Sequence, residues 1–158
     1  MNESTEQDLR QMPLAEFIEQ AAARTPTPGG GSIAAVTGAL GTAMMAMSAN
    51  FTTGERFADV AEEIEAALSE LARARGMFLE LMNEDMKAFS SWQAAFRMDK
   101  GDPGRDDALK VASLAAITVP REMATLCLSV LQRIAKLADK VNKRLLSDVG
   151  VAAVLVAS

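Results

Sequence analysis

A run of thirty residues without a charged side chain, residues 25–54, constrains the fold of this chain more than any other feature. Its length raises the question of a membrane-spanning helix, which needs about 20 apolar residues. Residues 32–50, however, include six alanines and two glycines, and small residues let neighbouring helices approach closely. We therefore predict a central helix that is buried on all sides, rather than a membrane span. Because a chain of 158 residues has few helices with which to cover it, we expect a subunit interface.

Helical periodicity extends over most of the remaining chain. Apolar residues recur at steps of three and four within residues 14–22, 57–97 and 109–137, and a last apolar helix starts at Val149. Aromatic residues make up only 4% of the chain, which is typical of closely packed helices. The sequence predicts an all-α fold, a bundle of long antiparallel helices around a buried small-residue helix. The predicted caps and kink fall on Asp106 or Asp107, on Ser147 with Asp148, and on Pro120.

The composition excludes several classes of chemistry. The chain has no histidine and a single cysteine, Cys127, so a Ser-His-Asp triad, a Cys-His pair or a His/Cys zinc cage cannot be built. Acid-base chemistry would fall to carboxylates or lysines, and no metal is expected. The net charge of −5 disfavours nucleic acid, which attracts clustered Lys and Arg. The first ten residues, MNESTEQDLR, lack the layout of a signal peptide, so a cytoplasmic location is expected.

One carboxylate interrupts the apolar stripe of the second segment. The stripe passes from Met82 to Phe89, and the position between them at helical spacing is Asp85. A carboxylate on a buried helix face is unfavourable unless it is paired, hydrogen-bonded or protonated. Asp85 is therefore either part of a structural ion pair or hydrogen bond, or a general acid or base in a cleft. Periodicity alone leaves both interpretations open.

A glycine-rich loop, with the sequence TPTPGGGS over residues 25–32, leads directly into the uncharged helix. Glycines at a helix start expose backbone amides, to which anionic or electron-rich ligand atoms bind readily. The loop lacks the spacing and the lysine of a phosphate loop, so a plain helix-entry turn is the alternative. Asn142 and Asp148 are equally ambiguous, because both are ordinary turn and capping residue types.

Four segments in order along the chain resemble one known family. They are FIEQAAARTPTPGGGSIAAVTGALGTAM, LMNEDMKAF, VPREMA and VNKRLLSDVGVAA. Together they resemble the cyclodeaminase domain of formiminotransferase-cyclodeaminase and its bacterial stand-alone relatives, which include the methenyltetrahydrofolate cyclohydrolase of the serine cycle. The similarity extends from about Leu14 to the C-terminus, and four motifs in register over most of the chain are specific.

The resemblance implies an all-helical, dimeric enzyme that acts on tetrahydrofolate derivatives and needs no further cofactor. Relatives either close formimino-tetrahydrofolate to methenyl-tetrahydrofolate with loss of ammonia, or hydrolyse methenyl-tetrahydrofolate to the formyl derivative. The family motif places the catalytic residue at Asp85. The substrate-binding positions implied by the same motifs are Pro28, Gly29, Gly30, Gly31, Ser32, Asn142, Ser147 and Asp148.

Three further expectations concern the extent of the chain, its role and its basic residues. Relatives continue through further helices past the last motif, so the predicted single domain over residues 1–158 is expected to lack C-terminal helices. The competing prediction is a non-catalytic helical binding or assembly module that keeps the family fold. The basic residues that could hold the glutamate tail of a folate, which the sequence does not rank, are Arg56, Arg121, Lys143 and Arg144.

Overall fold

The computed structural model describes residues 8–158, and these residues form five α-helices and three 3-10 turns, with no strand. The helices are α1 (Leu14–Ala22), α2 (Gly30–Asn50), α3 (Ala61–Arg97), α4 (Arg105–Leu137) and α5 (Leu146–Ala157). The 3-10 turns are Leu9–Gln11, Glu55–Val60 and Lys143–Leu145. The predicted all-α class is confirmed. The prediction about a signal peptide depends in part on residues 1–7, which lie outside the described residues.

Helix α2 is the centre of the bundle, as its composition predicts. It packs along α3 and α5 and over a shorter stretch against α4. A methyl group built on Gly38 would lie 2.6 Å from the Phe78 ring of α3, and one built on Gly41 would lie 2.9 Å from the Ala152 carbonyl of α5. These two glycines therefore let both neighbouring helices approach α2 more closely than a larger residue would allow.

Helices α3 and α4 form an antiparallel hairpin beside α2. Glu63 pairs with Lys140 just beyond the end of α4, and Glu70 pairs with Arg133, so residue numbers rise on one helix as they fall on the other. At 37 and 33 residues, the two helices are each roughly 50 Å long. The predicted stripes face the core, and their buried members include Ile64, Leu71, Phe78, Met82, Met123, Val130 and Ile134.

Two predicted helix caps are wrong. Asp106 and Asp107 lie inside the first turn of α4, whose N-cap is Gly104. Ser147 and Asp148 lie inside the first turn of α5, and its N-cap residue makes no side-chain capping hydrogen bond. Acidic residues are favoured in a first helical turn by the helix dipole as well as at the cap itself, so the sequence signal marks the helix start without fixing the capping residue.

Helices α2 and α4 are long and apolar enough to cross a membrane by length and composition alone. Two such helices are weak evidence for a membrane protein, because the core helix of a soluble protein passes the same test. In α2, 56% of the most apolar window is buried inside the bundle, as expected for a core helix. In α4 the buried share is 22%, and Val111, Leu114 and Ile117 are exposed on its outer face.

Candidate active site

Asp85 lies where α3 passes the N-terminal end of α2. Its side chain is half-buried, and its carboxylate lies directly against the backbone of Gly31. A methyl group built on Gly31 would lie 2.1 Å from Asp85 Oδ1. Glycine at position 31 is therefore what leaves room for the carboxylate at the start of α2.

A buried hydroxyl contacts this carboxylate. Ser32, in the first turn of α2, is completely buried, and its Oγ lies 3.2 Å from Asp85 Oδ2 and 3.5 Å from the Met82 carbonyl oxygen. Its single proton is donated to one of these two oxygens on α3 at a time. Within residues 8–158, no Lys or Arg forms an ion pair with Asp85. Of the two structural interpretations of Asp85, an ion pair is therefore not supported among the described residues, whereas a hydrogen bond from Ser32 is present.

A small cavity opens beside the carboxylate, and we call it the Asp85 pocket. Its volume is about 270 Å³, and it is lined by Pro26, Thr27, Gly29, Gly30, Gly31, Asp85 and Phe89. Helix α2 starts at Gly30, and its N-cap Gly29 offers no side-chain capping bond, so the first backbone N–H groups of α2 are available to a ligand. The pocket therefore combines a carboxylate, backbone donors and an aromatic face.

Phe89 is a pocket residue that the sequence prediction missed. The apolar stripe of α3 assigns it to the core, whereas its side chain is 38% exposed and lines the Asp85 pocket. The available signal is its position four residues after Asp85, which places both side chains on the same helix face. Pro28 of the glycine loop is buried and does not line the pocket.

Asn142, Ser147 and Asp148 lie at the other end of α2. The backbone N–H of Asn142 donates to Thr52 Oγ1 at 3.0 Å, and its side-chain amide donates to the Phe51 carbonyl at 3.4 Å, directly after the last residue of α2. A helix of 21 residues is about 30 Å long. One chain therefore does not bring Asn142 to the Asp85 pocket, and the same holds for Ser147 and Asp148, which follow at the start of α5.

Asn142 lines a second cavity, which we call the basic pocket. Its volume is about 340 Å³, and its lining includes Arg56, Lys143 and Arg144 next to Asn142. The Asn142 side-chain oxygen accepts the backbone N–H of Arg144 at 3.2 Å, which fixes the start of the short turn that carries Lys143 and Arg144. Arg56, which is distant in the sequence, thus lies beside the adjacent residues Lys143 and Arg144 at one end of α2.

A larger groove, about 640 Å³, lies between α3 and α4 and contains none of the predicted site residues. Its lining includes four glutamates, Glu70, Glu80, Glu84 and Glu122, against one arginine, Arg73, so its charge disfavours anionic ligands. Within residues 8–158, no group of three or more His, Cys, Asp or Glu side chains is arranged to hold a metal ion. The smaller Asp85 pocket is the better candidate site, because it joins the acid to open backbone donors.

Comparison with known proteins agrees with the motifs around these pockets. The sequence profile of the formiminotransferase-cyclodeaminase family matches residues 13–158. The chain belongs to this family. The crystal structure of formiminotetrahydrofolate cyclodeaminase from Thermotoga maritima superposes with a TM-score of 0.85 at 33% identity, over 94% of this chain and 72% of that one. The fold expected from the family resemblance is confirmed.

Two named relatives of the formiminotransferase-cyclodeaminase family differ in activity. Methenyltetrahydrofolate cyclohydrolase from Methylorubrum extorquens is 29% identical over 88% of this chain and 69% of its own length. Formimidoyltransferase-cyclodeaminase from Rattus norvegicus is 31% identical over 94% of this chain. The chain spans 28% of the rat protein, so it matches one portion of that longer relative.

Proposed function

We propose that this chain is an enzyme of folate one-carbon metabolism that acts on the carbon held between nitrogen-5 and nitrogen-10 of tetrahydrofolate. The reaction is either the cyclisation of formimino-tetrahydrofolate with release of ammonia or the hydrolysis of methenyl-tetrahydrofolate to formyl-tetrahydrofolate. The observation that carries the proposal is the Asp85 carboxylate, which lies against Gly31 with no partner cation among the described residues. A cytoplasmic location is part of the proposal.

Both reactions need a proton to be moved between two heteroatoms on one carbon. In the cyclisation, nitrogen-10 attacks the carbon of the protonated formimino group and loses a proton, and the departing nitrogen gains that proton and leaves as ammonia. In the hydrolysis, water attacks the cationic methenyl carbon and loses both of its protons as it becomes the formyl oxygen; nitrogen-5 gains one as its bond to the carbon breaks, and the other is released to solvent. Asp85 would accept the first proton and return the second, a type of assistance worth roughly 100- to 10,000-fold in rate.

The remaining pocket residues have positioning roles in this proposal. When the Ser32 hydroxyl donates to Asp85 Oδ2 rather than to the Met82 carbonyl, Asp85 Oδ1 remains available for proton transfer. The N–H groups of Gly30 and Gly31 are donors for electron-rich atoms of the pterin at the positive end of the α2 dipole. Phe89 offers a ring face on which an aromatic part of the substrate can stack.

A homodimer would complete the site. Helix α2 carries a second stripe at steps of three and four on its outer face: Gly30, Ile33, Thr37, Leu40, Met44, Met47 and Phe51. No member is charged, and Ile33, Leu40 and Phe51 are 41%, 53% and 61% exposed. Residues at this spacing form the contact seam of paired helices, so a second copy of this chain is the proposed cover.

The dyad geometry of that pairing would account for the motif residues that lie far from the Asp85 pocket within one chain. Leu40 is the middle residue of α2, and a two-fold axis there would pack α2 antiparallel against its copy. The start of α2 in one subunit then lies near the end of α2 in the other. Asn142 is bonded to that end through Phe51 and Thr52, so Asn142, Ser147 and Asp148 of the partner subunit would approach the Asp85 pocket.

The proposed catalytic role is tested by Asp85→Asn, which keeps the shape of the side chain and removes the ionisable group. Turnover of formimino-tetrahydrofolate and of methenyl-tetrahydrofolate is followed by the absorbance of the methenyl form, which appears in the first reaction and disappears in the second. This assay also decides which reaction the protein performs. Turnover within a few-fold of wild type in a folded Asp85→Asn variant would refute the assignment.

The shared site is tested by mixing two inactive variants. Asp85→Asn and Asn142→Ala damage the two halves of the proposed site separately, and random reassembly of the subunits leaves about a quarter of the sites intact. Recovery of about that share of activity supports a site built across the dyad. Failure to recover activity, with mixed dimers demonstrated by mass spectrometry, would place the complete site within one chain.

A non-catalytic module is the alternative outcome. Reduced folates that bind the folded protein raise its apparent stability by mass action, so a thermal-shift titration detects binding without turnover. A thermal shift without turnover of either substrate would favour a folate-binding module. No shift with any reduced folate would favour an assembly role.

A further inference from the structure

We propose that Asn83 is a positioning residue that fastens the N-terminal segment of the chain beside the Asp85 pocket and thereby strengthens substrate binding, an inference that rests on the proposed function. We call residues 8–28 the strap. The strap starts next to Asn83 of α3, runs through α1 and supplies Pro26 and Thr27 to the wall of the Asp85 pocket. Asn83 does not line that pocket, so its effect on the substrate would pass through the strap.

Asn83 holds the strap with both ends of its side-chain amide. Its Oδ1 accepts the backbone N–H of Leu9 at 3.1 Å, and its Nδ2 donates to Asp8 Oδ1 at 2.6 Å. Arg10 donates to the other oxygen of the same carboxylate at 2.8 Å, which keeps the acceptor in place. An amide supplies one donor and one acceptor side by side, whereas an alkyl group supplies neither and a carboxylate supplies no donor.

Within residues 8–158, few apolar side chains attach the strap to the bundle. Leu9 and Phe17 are 4% and 5% exposed, whereas Leu14 and Ile18 of α1 are 63% and 56% exposed. A segment with few buried apolar residues opens at a lower free energy than the whole domain unfolds. The two hydrogen bonds of Asn83 therefore restrain a segment that packing alone secures weakly.

Movement of α1 would be transmitted to the wall of the Asp85 pocket. Thr25 Oγ1 lies 3.3 Å from the Gln20 carbonyl oxygen in α1 and 3.1 Å from the Thr27 carbonyl oxygen in the wall. Thr25 thus joins the end of the helix to the residues that line the pocket. Asp85 itself belongs to α3, so an open strap would remove one side of the pocket and leave the catalytic carboxylate in place.

The test measures KM, kcat and the mobility of the strap together. If the substrate binds only when the strap is closed, its apparent Kd rises in inverse proportion to the closed fraction. Asn83→Ala should then raise KM for the folate about five- to tenfold, with kcat within about twofold of wild type. In hydrogen-exchange mass spectrometry, amides of residues 8–22 should exchange at least tenfold faster, and those of α4 at the wild-type rate. Glu84→Ala, at the next and exposed position of α3, is the matched control and should resemble wild type.

An exchange of the two side chains separates the hydrogen bonds from a general loss of stability. Asn83→Asp places a second carboxylate against Asp8 and should behave like Asn83→Ala. In the double variant Asp8→Asn/Asn83→Asp, the amide at position 8 donates to the carboxylate at position 83, which still accepts the N–H of Leu9. KM and strap exchange should return to within about twofold of wild type. A double variant as impaired as Asn83→Asp would overturn the proposal.

The remaining outcomes distinguish this inference from the proposed function. Wild-type KM and wild-type exchange in Asn83→Ala would refute the positioning role and leave the proposed function standing. Faster exchange with an unchanged KM would also refute it, because Asn83 would then hold the strap without affecting the substrate. If wild type turns over neither folate, the proposed function fails and the positioning role fails with it.

Discussion

The substitution Gly31→Ala should displace the Asp85 carboxylate without changing the packing of α2 against α3. The added Cβ would lie 2.1 Å from Oδ1, 2.4 Å from Cγ and 2.7 Å from Oδ2 of Asp85. Because such atoms attract one another only beyond about 3 Å, the carboxylate has to retreat by about 1 Å. It is the end of a side chain beside an open pocket, so it can move while the backbones of α2 and α3 stay in place.

The expected effects on stability and on activity differ widely. Alanine is favoured over glycine in a helix by up to about 1 kcal/mol, and losing the Ser32 hydrogen bond to a charged acceptor costs about 1.5–3 kcal/mol. The net loss of at most about 3 kcal/mol leaves a domain with typical stability folded. A misplacement of about 1 Å at a catalytic group lowers the rate by about 100-fold. Gly31→Ala should therefore be a folded protein with little activity.

Gly76→Ala is the matched control for this experiment. Gly76 also lies inside a helix, but a Cβ at this position would meet nothing within 4 Å. The control should be as stable as wild type or up to about 1 kcal/mol more stable, with unchanged kcat. Circular dichroism melting and turnover of the methenyl form are measured for both variants. If kcat of Gly31→Ala stays within about threefold of Gly76→Ala, the inferred contact does not position the catalytic acid.

Three further outcomes are expected. Ser32→Ala should lower kcat about tenfold with a smaller change in KM, because it removes the hydrogen bond that orients Asp85, worth about 1.5 kcal/mol or more; unchanged kcat would exclude that role. Gly41→Ala should lower the free energy of unfolding, measured in urea, by about 1–3 kcal/mol, because the added Cβ would overlap the backbone carbonyl of Ala152. Unchanged stability would show that α5 can shift away from α2 without cost. Hydrogen bonds from Arg10, and to a lesser extent from Asn83, hold the pKa of Asp8 well below its usual value. Their stabilisation is present above the unfolded pKa of about 3.9 and is lost as pH falls through the folded pKa. A carbon NMR titration of the carboxyl group should show a midpoint that rises in Asn83→Ala and rises further in Arg10→Ala.

The helical architecture and Asp85 could be predicted because both depend on local periodicity. A residue three or four positions from its neighbours in a stripe shares their face whatever the tertiary fold, so an acid at position 85 had to lie near buried surface. The small residues of α2 likewise predict close packing, which is observed at Gly38 and Gly41. These inferences need no knowledge of which helix packs against which.

The relation between the two groups of motif residues could not be predicted from periodicity. Helical spacing tells which face a residue occupies, but not which end of a neighbouring helix it meets. The family motifs treat Asp85 and Asn142 as one set, whereas α2 separates their two ends by about 30 Å within a chain. The same limit applies to Arg56 and Arg144, which meet only because the chain returns to the end of α2 after the long hairpin.

For the three glycines at the start of α2, the sequence predicts one role, exposure of the backbone, and the structure adds a second role at Gly31. In the sequence the three glycines are equivalent, because each of them would expose its backbone N–H group. In the structure, a Cβ at Gly29 would make an ordinary 3.5 Å contact with the Pro26 carbonyl and one at Gly30 would meet nothing, whereas one at Gly31 would overlap the Asp85 carboxylate. The requirement at Gly31 is therefore set by a side chain on another helix. An acid on a buried stripe and a glycine at a helix start are each weak signals, but each accounts for the other once they are in contact.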